Sequence, residues 1–127
     1  MKTIKRGIIL FCFVTIMSYN IAEAQDNRVI RIAKIKIDAA HIEEYKVAVR
    51  EQIETAVRVE AGVLTLYAVH DKKDPTSVTV FEIYADQAAY QSHIQTEHFK
   101  KYKTSTANMV KSLELIDVSS IATESKK

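Results

Sequence analysis

The sequence predicts an α+β domain in which an open, four-stranded antiparallel sheet carries helices on one face. Three observations lead there. Four runs rich in β-branched residues alternate in the manner of strands; two stretches repeat apolar residues at helical spacing; and the order is strand, helix, strand, strand, helices, strand. The two middle strands are joined by a short polar turn, so they pair as a hairpin, while each outer strand reaches the sheet through a helix. That order is the ferredoxin-like βαββαβ arrangement, a split βαβ fold.

The first strand is Arg28 to Ile37, rich in β-branched residues, with Ala and Ile alternating with Lys in its second half. Asp38 follows as an N-cap, its carboxylate placed to accept the free amides of a first helical turn. Ile42, Tyr45, Val49, Ile53 and Ala56 or Val57 then recur at spacings of three and four with Glu and Arg between them, and the helix ends before Gly62 as its C-terminal cap. Val63 to His70 is the second strand, Asp71 to Pro75 the turn, and Ser77 to Tyr84 the third strand. Asp86 caps a short helix carrying Ala89, Tyr90, His93 and Ile94. Thr96 caps the next, with the stripe Phe99, Tyr102, Thr106, Met109 and Val110. Leu113 to Val118 is the fourth strand, and residues 121–127 are a polar tail.

Residues 1–24 stand apart from this pattern. Lys2, Lys5 and Arg6 precede an apolar run from Gly7 to Met17, and Ala22-Glu23-Ala24 reads as a small-x-small cleavage site ahead of Gln25. The run is shorter than the ~20 apolar residues a membrane-spanning helix needs, so it reads as a secretory signal peptide, and the mature protein is expected to be periplasmic or secreted with no membrane association of its own. About 100 residues remain, enough for one core and not two. The single cysteine, Cys12, lies in this leader. Disulfides and cysteine chemistry are thereby excluded from the mature chain. The leader also holds most of the formal charge of +2. Lys100, Lys101 and Lys103 read as a solvated helix face, and no nucleic-acid signature is present.

A sheet covered by helices on one side should be polar on the other. Here Val63, Tyr67 and Val69 are expected to face one way and Leu64, Leu66 and Ala68 the other; Val78 and Val80 oppose Phe81 and Ile83; Leu113 and Leu115 oppose Ile116 and Val118. Both faces are apolar, so both need a cover, and a second copy of the same sheet supplies it. A symmetric homodimer packed sheet to sheet is the expectation.

Most candidate chemistry falls between Thr79 and Phe99, which holds Glu82, Tyr84, His93 and His98. The run Glu60-Ala61-Gly62-Val63-Leu64, Tyr67, Asp74-Pro75, Phe81-Glu82-Ile83-Tyr84, His93 and Thr96-Glu97-His98-Phe99 resembles the antibiotic biosynthesis monooxygenase domain, over roughly Val29 to Ile116. That family consists of dimeric α+β barrels and includes small quinol monooxygenases. The resemblance implies a cofactor-independent oxygenase acting with molecular oxygen on a quinol or polyphenol-type aromatic substrate, in a cavity between sheet and helices. His93 and His98 are then the candidate bases, since an imidazole titrates near neutral pH. Tyr67 and Tyr84 are candidates to orient a hydroxyl or carbonyl, and Glu82 to orient a histidine. The family's haem-degrading branch carries a tryptophan on the short helix and a histidine four residues after the phenylalanine. Here those positions hold His93 and Lys103, which argues against haem degradation.

Each candidate also has a structural reading. His93 suits a buried ring bonded to a backbone carbonyl, His98 a surface helix start, Glu82 a salt bridge to Arg31, Lys34 or Lys36, and the tyrosines a core with satisfied hydroxyls. A zinc or iron site is disfavoured because His93 and His98 are five apart across a helix break, where one helix face needs three or four. Besides the oxygenase, the same domain is compatible with a non-catalytic small-ligand carrier and with an isomerase that shuttles protons.

Overall fold

The computed structural model describes residues 25–127, so the leader lies outside the described residues. The elements are β1 (Val29–Ile37), α1 (Ile42–Val59), β2 (Val63–His70), β3 (Ser77–Tyr84), α2 (Gln87–His93), α3 (Glu97–Thr106) and β4 (Val110–Val118). The strands form one sheet in the order β2-β3-β1-β4, and every neighbouring pair is antiparallel. This is the ferredoxin-like α+β arrangement expected from the element order. Among the described residues no helix is long and apolar enough to cross a membrane.

Local chemistry sets the element ends. The Asp38 carboxylate accepts the amide of Ala40, which starts a single 3-10 turn at Ala39–His41 before α1 begins. Asp86 accepts the amide of Ala89 at 2.8 Å, and Thr96 accepts that of Phe99 at 3.3 Å, so both short helices open on capped amides. α3 stops at Thr106. Met109 sits in the turn that follows and Val110 is already in β4, so the end of the expected helical stripe belongs to a strand that starts three residues earlier than its alternation suggested.

Gly62 differs from its expected role. No glycine among the described residues has a positive φ, and α1 ends at Glu60 in an extended conformation. What Gly62 supplies is space: a Cβ there would lie 2.5 Å from the Cβ of Ala89. β2 and α2 meet at that point, and the Gly62 carbonyl accepts the amide of Ala85 at 2.9 Å.

The faces of the sheet follow from the register. Arg31, Ala33 and Ile35 of β1 pair with Glu82, Val80 and Val78 of β3, and these point toward the helices. A register shift between Val63 and Thr65 puts Val63 on the helix side beside Leu66, where it packs with Ala56 and Tyr84. Simple alternation had set Val63 with Tyr67; the bulge reverses it. The main core joins Ala33, Ile35, Ile37, Val78 and Val80 to Tyr45 of α1 and to Met109. The opposite face keeps Tyr67, Val69 and Phe81 exposed at 66%, 46% and 37%.

Candidate functional site

Helices α1 and α3 stand over the sheet with a cavity of about 310 Å³ beneath them. Its floor is Arg31, Ala33, Val80, Glu82 and Tyr84 from the strands, and its walls are Gln52, Tyr90, His93, Phe99, Tyr102 and Lys103. Leu113 and Leu115 of β4 reach it from the side no helix covers and remain about half exposed. A larger recess of about 390 Å³ lies across α1 against β2, without any of the expected site residues.

Glu82 is the carboxylate of this cavity. Burial pushes its pKa up to about 7, against the charge of Arg31 and the hydroxyl of Tyr84, which both favour the anion. Arg31 faces it across the strand pair, yet the guanidinium spends its hydrogen bond on Asp117 at 2.8 Å and lies 4.2 Å from the centre of the Tyr90 ring. So the expected salt bridge from Arg31 goes to another carboxylate, and Glu82 is left half-compensated. Tyr84 is buried at the same end, and burial pushes its hydroxyl well above the usual phenol range.

His93 is buried with 1% exposure, packed 5.3 Å from Tyr84 and 5.0 Å from Phe99, centre to centre. Its Nδ1 is 2.8 Å from Glu60 Oε2 and its Nε2 is 3.2 Å from the Gln52 amide nitrogen. With Glu60 accepting from Nδ1–H and Gln52 donating to Nε2, both ring nitrogens are partnered and the ring is fixed in orientation. The same Glu60 oxygen lies 2.7 Å from His98 Nε2. Glu60, not Glu82, is therefore the carboxylate that orients a histidine.

The candidates divide accordingly. Glu82, Tyr84 and His93 converge on the cavity. His98 does not line it; it sits behind His93 on the outer side of Glu60. Tyr67 is corrected outright: it occupies the uncovered sheet face opposite Phe81, because β2 alternation turns it away from Leu66 and Ala68. Lys101 bonds Glu51 on α1 at 2.7 Å, and Lys103, though exposed, borders the cavity. Sequence reasoning missed Gln52, Glu60 and any cavity role for Arg31. Gln52 was detectable as a polar residue on the stripe of Tyr45, Val49 and Ala56, where it is buried. Glu60, in a turn, carried no signal beyond its place in the family-like run.

The model of the antibiotic biosynthesis monooxygenase family matches residues 28–105. The chain belongs to that family. Among solved structures, a candidate antibiotic biosynthesis monooxygenase from Bacteroides thetaiotaomicron is 50% identical, with a TM-score of 0.76 over 80% of this chain and 96% of that one. A candidate monooxygenase from Lactobacillus acidophilus is 33% identical over 72% of this chain and 44% of that one, with a TM-score of 0.70. A family protein from Nitrosomonas europaea shares the fold at 19% identity and a TM-score of 0.71, over 76% and 93% of the two chains. No curated protein sequence matches the chain. In this family member the cavity lies between sheet and helices, and Glu82 and His93 both line it.

Proposed function

We propose that the protein is an exported, cofactor-independent monooxygenase of quinol or polyphenol-type substrates, working as a sheet-to-sheet homodimer. The observation that carries the reading is Glu82, held near a pKa of 7 on the floor of a mostly apolar cavity and facing Arg31. A base whose pKa matches the working pH is the efficient one.

In the proposed reaction Glu82 accepts the proton of a ring hydroxyl and Arg31 stabilises the resulting oxyanion. The electron-rich anion passes an electron to molecular oxygen, and the two recombine at a ring carbon. One oxygen atom stays on the ring and the other leaves as water. For a quinol with a free ring C–H the balance is quinol plus O₂ giving hydroxyquinone plus water, so the substrate supplies all the electrons. No separate reductant is required, which is the physical case for cofactor independence. The protonated Glu82 then returns the proton to the reduced oxygen, while His93 lines the same wall and shapes the site.

Export rests on the basic, apolar and Ala-x-Ala succession before Gln25. The dimer rests on the uncovered sheet face that presents Tyr67, Val69 and Phe81.

The test is oxygen uptake by the purified protein with a panel of reduced quinols and polyphenols. Uptake above autoxidation that falls at least about 100-fold in Glu82→Gln, in line with loss of a general base, and also drops in His93→Ala, is expected. Turnover of a substrate without oxygen uptake would replace the oxygenase with a proton-shuttling isomerase. Binding without turnover would make the cavity a carrier site.

A further inference from the structure

Glu60 and His98, which meet His93 behind the cavity wall, take no part in that reaction. Glu60 at the end of α1, His93 at the end of α2 and His98 at the start of α3 bring one carboxylate oxygen and two ring nitrogens together, all within 4.8 Å of one another. We propose that these three side chains form a binding site for a divalent transition-metal ion of the zinc type.

The donor set fits that chemistry. Two imidazoles and a carboxylate suit zinc, cobalt or nickel, whereas magnesium and calcium take oxygen ligands almost alone. The nitrogens lie 2.8 and 2.7 Å from the shared Glu60 oxygen, so each contact now holds one proton that an ion would displace. Ligands held tetrahedrally at ~2.1 Å from an ion stand ~3.4 Å apart, so Glu60 needs to draw back by only a fraction of an ångström, and His98 must close on His93. Room for that exists on the outer side, where the His98 side chain is 19% exposed and that of Glu60 13%.

The remaining ring nitrogen accommodates the assignment once the Gln52 side chain turns over. A histidine bound to metal through Nδ1 carries its proton on Nε2 and needs an acceptor there. His93 Nε2 already faces the Gln52 amide at 3.2 Å, and that amide serves the metal-bound tautomer by turning its oxygen inward. The sequence spacing of His93 and His98 argued against two ligands on one helix. It does not apply here, because the ligands come from two helices and meet a third element, the Glu60 turn. An ion at this point ties the ends of α1, α2 and α3 together.

The experiment is calorimetric titration of the purified, metal-stripped protein with zinc, cobalt and magnesium chlorides at pH 7.5, beside His98→Ala and Glu60→Gln checked for native circular dichroism. Expected are one zinc ion per chain with micromolar or tighter affinity, visible absorption bands of tetrahedral cobalt, and no saturable magnesium binding. Each variant should lose at least about 10-fold in zinc affinity. Absence of saturable zinc binding by the wild type, or wild-type affinity in either variant, overturns the site. Neither readout depends on oxygenase activity.

Discussion

Glu60 Oε2 accepts the Nδ1–H of His93 at 2.8 Å, and this contact decides which nitrogen of a buried imidazole points toward the cavity. Replacing Glu60 with Ala leaves that N–H without a partner. The expected loss is about 1–3 kcal/mol, the penalty of an unsatisfied buried polar group, read from the urea midpoint at pH 7.5. Glu60→Gln keeps an acceptor and should lose clearly less; equal losses would show that the hydrogen bond is not the source.

Gly62→Ala tests the meeting of β2 and α2. The new Cβ would stand 2.5 Å from that of Ala89, and neither side chain can rotate away, so α2 must move. A destabilisation of about 1–3 kcal/mol, as for overpacking, is expected, together with slower oxygen uptake because α2 carries His93. Unchanged melting temperature and activity would mean that α2 moves freely on the sheet.

Glu82→Gln should change stability in a pH-dependent way. The folded-state pKa near 7 lies above the value of 4.5 for a free glutamate, so the folded protein holds this proton more tightly than the unfolded chain. Its contribution is fully present below pH 4.5 and is lost as the pH rises through 7. The variant should match wild type near pH 4.5 and exceed it by about 2 kcal/mol at pH 8, a 1.36 kcal/mol-per-unit conversion reduced for partial solvent access. Denaturant titrations at the two pH values decide it; a constant difference would mean that Glu82 titrates normally.

Thr96 makes two contacts at the break between α2 and α3. Its hydroxyl donates to the carbonyl of His93 at 2.7 Å and accepts the amide of Phe99 at 3.3 Å. Thr96→Ala should cost about 1 kcal/mol, the usual worth of such a cap, and Thr96→Ser should recover most of it. Thermal melts of the two variants make the comparison.

Tyr67 and Phe81 are cross-strand neighbours on the uncovered sheet face. Sedimentation of the wild type at micromolar concentration should give a dimer, and Phe81→Lys should give a folded monomer, since a lysine buried against a second sheet is unpaired. A wild-type monomer would remove the dimer from the proposed function.

Some of the site was open to sequence reading. Glu82 and Tyr84 share a face by strand alternation, and Asp86 and Thr96 announce the helices that carry His93 and His98. Tyr67 was placed with them because it belongs to the same family-like run, but strand parity sends it to the other face. The bulge beside Val63 shows why parity read through β2 was unsafe: one extra residue inverts every assignment before it.

The order and type of the elements, the N-terminal caps Asp86 and Thr96 and the apolar character of both sheet faces follow from the sequence itself, because each depends on residues within a turn or two of one another. Which carboxylate meets His93 does not. Glu60, His93 and His98 meet only when the end of α1 and the break between α2 and α3 dock on the same sheet edge, and the hydrogen bond of Arg31 goes to Asp117, its neighbour on β4. Those partnerships join residues tens of positions apart. They are settled by packing at Gly62 and by strand register, which no local pattern encodes.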